Sequence, residues 1–250
     1  MSFFKKMMAT VGIGAAKVDT VLNGMVSSPG GILEGVVHVK GGNVDQDVED
    51  ITIALMVDVK KEINDTTIYQ PMEIAKYKVA GRFKINAGES LQFPFSVQVP
   101  LEVPITVLGQ YKLGNIKLYV KTLLDIDNAL DKADKDYLEI RPMPNMEKFL
   151  HALLQLGFQF HKADVEYGRI PGSNYSFFEE IEFYGGHSQF SRIKELEVTF
   201  IAKADGVHVV LEMDKRGLFG SREKYRTIFL PNDDSHVNYI AELQNVLGSV

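Results

Sequence analysis

The chain has 250 residues, 45% of them hydrophobic and 24% charged, with a formal net charge of −6. That supports one large or two ordinary globular domains with real cores, and the acidic balance opposes general binding to nucleic-acid backbone, which needs clustered positive charge. With no cysteine, disulfides, thiolate nucleophiles, Cys-ligated zinc and iron–sulfur clusters are excluded, a pattern that suits a reducing, cytoplasmic setting. No run of about 18 apolar residues is present to cross a bilayer as a helix.

The first element is helical. Phe3, Phe4, Met7, Met8 and Val11 recur at helical spacing with Lys5 and Lys6 opposite, which predicts a short helix packed on the body. The same segment is the candidate for a membrane or partner anchor. A signal peptide is rejected, because Phe3 and Phe4 precede the lysines and glycines break the apolar run. Gly12-Ile13-Gly14 does not serve a dinucleotide, since that motif needs a strand before it and a helix after it.

Strands follow. Residues 17–22 read as a strand, and 27–31 (SSPGG) as a turn. Leu33, Gly35, Val37 and Val39 alternate with Glu34, His38 and Lys40. In 51–59, Ile51, Ile53, Leu55, Val57 and Val59 oppose Thr52, Ala54, Met56 and Asp58. A polar stretch covers 60–67, and 73–85 reads as a strand with Gly81 as a bulge. In 91–99 (LQFPFSVQV) the alternation is strict, and Pro94 on the outward face demands an edge strand, because proline cannot donate to a ladder. Pro100 and Pro104 end that run, and 116–124 forms another strand. Roughly seven strands in about 125 residues is β-sandwich patterning.

Residues 125–144 (DIDNALDKADKDYLEIRPMP) are acidic and then prolyl, which reads as a linker. They do not make an EF-hand: counted from Asp125, Ala129 and Leu130 occupy positions 5 and 6, where an oxygen ligand and a glycine are required. Residues 146–156 then read as a helix stopped by Gly157. Strands return at 158–167, 177–184, around 196–200, 207–213 and 227–230. Ala204-Asp205-Gly206 between two alternating runs signals a hairpin. Asp233-Asp234-Ser235 offers cap chemistry for a final helix over 235–247.

Catalytic and metal chemistry finds little foothold. None of the six histidines forms HxxxH or HExxH, and no GxSxG elbow is present. His161, Asp164 and Glu166 cluster in sequence, but His161 and Glu166 fall on opposite faces of a strand. The chain is therefore read as non-enzymatic, with no catalytic, cofactor-binding or metal-ligating residue assigned. The distinctive charge feature is MDKRGLFGSREKYR, residues 213–226. Read as a glycine-bearing loop or hairpin tip, it presents Lys215, Arg216, Arg222, Lys224 and Arg226 with Phe219 as an apolar anchor. These residues are the candidate docking patch for an acidic partner.

Several blocks together resemble a known family. FFKKMMATVGIGAAKVDTVL, GILEGVVHVKGGNVDQDVEDITIAL, GESLQFPFSVQVPLEVPIT, DNALDKADKDYLEIRP and LEVTFIAKADGVHVVLEMDKRG resemble, in that order, the bacterial sporulation-control proteins of the stage-zero M type. The Phe93-Pro94-Phe95 step and Val103-Pro104 are similar to the arrestin N-domain pattern. The resemblance implies a mainly β protein of two arrestin-like β-sandwich domains in tandem: residues 1–130, including the N-terminal helix, and 131–250, with helices near 146–156 and 235–247. It implies a cytoplasmic, regulatory, non-enzymatic role. Protein partners would be bound through sheet edges, concave faces or the domain junction, without cofactor, metal or nucleic acid. Two other readings stand beside it. One is a small-molecule or glycan-binding sandwich lined by Tyr167, Tyr175, Phe177, Phe178 and Tyr184; the other is a scaffold at the membrane surface held by Phe3, Phe4 and the basic loop.

Overall fold

The computed structural model describes residues 14–24, 28–127, 132–185, 190, 192–215 and 222–248. Strands dominate it, with two helices. The alternation at 17–22, 32–40 and 90–98 produces β1 (Lys17–Leu22), β2 (Ile32–Lys40) and β6 (Ser90–Gln98), an antiparallel sheet in the order β1–β2–β6. Pro94 lies on β6 opposite Val36, and β6 pairs with nothing beyond β2, so the proline sits on an edge as its missing N–H requires. A second sheet is built around β3 (Gln46–Ile63). β9 (Leu118–Ile126) pairs along one side of it, and β4 (Thr66–Ala80) and β5 (Phe83–Ile85) along the other. β10 (Lys132–Tyr137) extends this sheet beyond β9. Leu33, Val37 and Val39 of β2 share one buried core with Ile51, Ile53, Leu55 and Val57 of β3 and Leu118, Val120 and Leu124 of β9. Two facing sheets are the simplest way for one-sided strands to escape water.

In the second half, β11 (Gln159–Tyr167), β12 (Phe177–Tyr184), β13 (Ile193–Lys203), β14 (Gly206–Lys215) and β15 (Arg222–Pro231) form a continuous antiparallel run. One face of it is buried through Ile181, Phe183, Leu196, Val198, Val209, Leu211 and Met213. Helices α1 (Pro144–Gln155) and α2 (Tyr239–Gly248) belong to the same core. Phe149 of α1 meets Phe200 and Tyr239 edge-on, with ring centroids 6.0 and 6.1 Å apart. α1 starts at Pro144, whose missing N–H costs nothing in the first turn, and stops at Gly157 with φ 88°. β3 and β11 meet at a single parallel bridge between Lys60 and Glu166, which joins the sheets of the two halves. A short hairpin, β7 (Val107–Leu108) with β8 (Tyr111–Lys112), completes the strands.

Several local expectations are corrected. The polar stretch 60–67 holds strand as well as turn: β3 runs to Ile63 and turns into β4 through Asn64 and Asp65, at φ 48° and 60°. Two positive φ values in a two-residue connection make a type I′ turn, whose twist matches the strands it joins. Gly81 is not a bulge within one strand but the break between β4 and β5. The expected linker 125–144 holds the end of β9 and all of β10, paired from Lys132–Leu124 to Tyr137–Tyr119. β10 therefore belongs to the sheet built around β3. The hairpin at Ala204-Asp205-Gly206 forms, yet its central residues, Ala204 and Asp205, do not take positive φ. The last helix begins at Tyr239 rather than 235; Asn238 Oδ1 accepts from the Ala241 N–H at 3.1 Å as its cap, while Asp233 and Ser235 form a preceding turn. The expected N-terminal helix, with Phe3 and Phe4, lies outside the described residues.

Candidate functional site

Period-2 alternation gives the sheet of the second half an outer face as polar as its inner face is apolar. β11 contributes Lys162, Asp164 and Glu166, β12 Glu180 and Glu182, β13 Glu195 and Glu197, and β14 Glu212 and Asp214. The register aligns Lys162, Glu182, Glu197, Glu212 and Tyr225 in one row across five strands. Like charges directly opposite one another are destabilising, so this row must be compensated. Lys162 Nζ lies 2.5 Å from Glu182 Oε1 and 3.6 Å from Asp164 Oδ2. The hydrogen bond to Glu182 pushes the Lys162 ammonium up to about 12. At the far end the Tyr225 hydroxyl donates to Glu212 Oε1 at 2.7 Å.

The middle of the row relieves its charge by holding protons. Burial first, and then the neighbouring carboxylates, raise Glu180 to about 7 and Glu197 to about 8; Glu195 is raised too, by burial and by Glu182. Oxygens of Glu180, Glu182 and Glu197 lie within 4.8 Å of one another. Hard cations such as calcium take carboxylate oxygens at about 2.3–2.6 Å, and this is the carboxylate grouping that could hold one, although Glu182 is already engaged by Lys162. A cleft of about 280 Å³ opens beside it, with Glu180, Glu197 and Glu212 on one wall and Arg169, Phe178 and Tyr225 around them.

A second polar site lies where the halves meet. Residues 101–105, between β6 and β7, lie against the second half. Glu102 Oε1 accepts from Lys203 Nζ at 2.7 Å and from Asn174 Nδ2 at 2.9 Å, and Oε2 accepts from the Asn174 N–H at 3.3 Å. The Ile105 N–H donates to Glu179 Oε2 at 3.1 Å. Tyr175 donates to the Ile74 carbonyl at 3.3 Å, and Lys60 pairs with Glu166 at 2.9 Å. Every one of these bonds crosses from one half to the other.

Of the residues singled out from the sequence, the described basic ones fall on one hairpin, and the aromatic ones are spread apart. Lys215 ends β14, and Arg222, Lys224 and Arg226 lie on β15 rather than in a loop, opposite Lys215, Met213 and Leu211 respectively. Lys224 is exposed and Arg226 half-buried, with its guanidinium donating to the Tyr225 carbonyl at 2.9 Å. Arg216 and Phe219 lie outside the described residues. The five aromatics do not line one pocket: Phe177 is buried in the core, Tyr175 stacks on it with centroids 4.9 Å apart, Phe178 borders the acidic cleft, Tyr167 carries Lys61 over its ring, and Tyr184 stacks on His161. His161 sits at the bulge in β11 and faces Tyr184, apart from Asp164 and Glu166.

The sequence reading missed both the acidic row and the junction. The first had a signal: FFEEIEFY, KELEVTF and LEMDK each place acids two apart, on the polar side of three strands that follow in sequence. The second had none, because residues 101–105 read only as the prolyl end of a strand.

The fold and these sites define a class: a mainly β protein, with two helices among the described residues, whose distinctive polar features are a carboxylate-bearing sheet face and a hydrogen-bonded junction between its halves. Comparison with known proteins narrows this. The family described as "SpoOM protein" matches residues 4–217. The sporulation-control protein spo0M of Bacillus subtilis (strain 168) is 37% identical over 227 residues, which is 90% of this chain and 86% of that protein. The crystal structure of Spo0M, sporulation control protein, from Bacillus subtilis superposes with a TM-score of 0.82 at 32% identity, covering 95% of this chain and 99% of that one. The chain belongs to the Spo0M family. Among the described residues no helix is long and apolar enough to cross a membrane.

Proposed function

We propose that this protein is, like its sporulation-control relatives, a regulator, and that it is non-enzymatic and cytoplasmic and works by binding protein partners. The two facing sheets of the N-terminal half support an arrestin-like reading of that half, with the boundary between the two units after β10. The observation that carries the binding mode is that, among the described residues, β15 ends its sheet with no strand paired on its outer side. β6 bears Pro94 and β4 bears Pro71, each interrupting its edge, whereas β15 is a ten-residue terminal strand whose one proline is its last residue. At its end Asn145 of α1 donates to the Leu230 and Pro231 carbonyls. Edge donors and acceptors of this kind accept an added strand, with side chains on alternate sides giving selectivity. Lys224 and Arg226 line one side, and the exposed Tyr225 and Phe229 the other. The partner that fits is an extended, acidic segment bearing apolar residues at alternate positions.

Affinity capture with the wild type and with the Lys224→Glu/Arg226→Glu double variant tests this. Lys224 is exposed and Arg226 half-buried, so the thermal midpoint of the double variant is measured beside the capture, and Lys224→Glu alone serves where the double variant is destabilised. Partners recovered by the wild type are expected to fall at least tenfold with the variant. Undiminished recovery of every partner would remove β15 from the binding surface.

A further inference from the structure

Glu179 is a carboxyl on the wrong side of its strand. Along β12, Phe177, Ile181 and Phe183 point into the core, and Glu179 shares their side, while Glu180 and Glu182 take the outer face. Its Oε2 accepts one hydrogen bond, from the Ile105 N–H at 3.1 Å, and its Oε1 is inaccessible and has no partner. The surroundings supply no compensating charge. From the 101–105 segment the facing titratable group is Glu102, whose carboxylate is taken up by Lys203 and Asn174. From the end of β13 it is Lys203, bound to Glu102. From the chain before β12 it is Tyr175, which donates to Ile74 and has Tyr77 of β4 beside it. α1 contributes only Met146, and the middle of β13 contributes Thr199 and Phe200. Burial, opposed only by the Ile105 amide, raises the Glu179 carboxyl to about 8. The group therefore carries a proton at neutral pH.

The cavity at this place is about 20 Å³, walled by Glu102, Val103, Pro104 and Ile105 from one half and by Tyr175 and Phe178 from the other. That is room for one water molecule and no more. A neutral carboxyl is content with one donor and one water. A carboxylate takes two or three strong donors when buried, and here one amide is all that the protein offers. Ionisation can be satisfied only by admitting more water, and the movable wall is the 101–105 segment, since the opposite wall is the sheet itself.

We propose that Glu179 is a proton-operated latch between the two halves: protonated, it seals residues 101–105 against the second sheet, and deprotonated, it draws in water and releases that segment. This is separate from strand addition at β15, and it gives the junction two states that a partner or a change of pH can bias. The sign follows from linkage. The closed state keeps the proton, so closure is complete at low pH and is lost as pH rises through the raised value.

Amide hydrogen exchange on the full chain between pH 6.0 and 9.5, corrected for intrinsic exchange rates, reads this directly. Protection of the Ile105 amide is expected to hold constant to about pH 8 and then to fall, approaching tenfold per pH unit because one proton is linked to opening. Amides in the β3–β9 pairing, which report opening of the whole fold, are expected to fall clearly less than the Ile105 amide across the same range. Glu179→Gln keeps the acceptor and cannot ionise, so its Ile105 profile is expected to fall no more than the β3–β9 amides do, from a protection at pH 7 at or above that of the wild type. A flat wild-type profile, a fall shared equally by the β3–β9 amides, or a Glu179→Gln profile that falls like the wild type would each overturn the latch. Should Glu179→Gln fail to fold, the wild-type contrast between Ile105 and β3 decides alone. Capture of partners through β15 is a separate readout, so either idea can fail without the other.

Discussion

Glu197 stands between Glu182 and Glu212 in its row and near Glu180 in the next. Burial and these neighbours make its proton hard to remove, and the same holds for Glu180. The two carboxyls titrate as members of one cluster, so their behaviour is that of the group. In the unfolded chain a glutamate ionises near 4.5, whereas in the folded protein Glu180 and Glu197 ionise near 7 and 8. A carboxyl whose pKa is raised on folding lends stability that is complete below the unfolded value and is lost as pH rises through the folded one. Urea midpoints are therefore expected to decline from pH 5 to pH 9. Glu197→Gln, which removes one ionisation and leaves the shape, is expected to flatten the part of that decline between pH 7 and pH 9 and to be more stable than the wild type at pH 9. Parallel wild-type and variant curves across that interval would show that the row is not held together by shared protons.

Elements were legible where one face of a strand is apolar and obscure where neither face is. β1 and β12 match their sequence patterns at both ends; in β1 exposed positions alternate with more buried ones, and in β12 the apolar Phe177, Ile181 and Phe183 share one buried side. β10 was hidden because KADKDY carries polar residues on its inner side too; Asp134 accepts from the Thr20 N–H at 2.6 Å, and Thr20 meets Thr122 of β9 at 2.7 Å. An inward-facing hydrogen-bond network leaves no hydrophobic period to read. The β3–β4 arm was hidden for the opposite reason: Thr66 to Pro71 are all exposed, so no core dictates their sequence. Its turn is held by backbone preference instead, and that preference is imperfect. Asp65 occupies a φ of 60°, which a non-glycine residue adopts at a steric cost of about 1–2 kcal/mol, eased for Asp by local hydrogen bonding. Asp65→Gly would complete the Asn-Gly pair that type I′ turns favour, with an expected gain of about 0.5 kcal/mol in denaturant unfolding. The helices make the contrasting case. Phe149 is fully buried between Phe200 and Tyr239, and Phe149→Ala is expected to cost about 3–5 kcal/mol, enough to threaten folding in a protein of ordinary stability.

At the scale of the whole molecule, the question is what makes two halves behave as one. One buried core runs through both, but the backbone pairing between their sheets is a single bridge at Lys60 and Glu166. Of the remaining polar ties described, all but the Tyr175–Ile74 hydrogen bond converge on residues 101–105. Glu102 is the hub of these, since its nearly enclosed carboxylate takes Lys203 and both nitrogens of Asn174. Hydrogen bonds to a charged group contribute about 1.5–3 kcal/mol each in favourable settings, and Lys203, about a third exposed, is screened toward the lower end. Glu102→Ala removes all three at once and leaves Lys203 without its anion. The expected cost is about 2 kcal/mol, and it should fall on the coupling between halves rather than on either core, because Glu102 belongs to neither sheet. In calorimetry this separates two outcomes. If the junction couples the halves, the variant's melt broadens or splits, and the van't Hoff enthalpy drops below the calorimetric one, the sign that a single cooperative unit has become two. If instead the shared core alone binds the halves, the midpoint shifts while the two enthalpies keep the wild-type ratio, and the 101–105 clasp is then a local contact with no part in communication across the molecule.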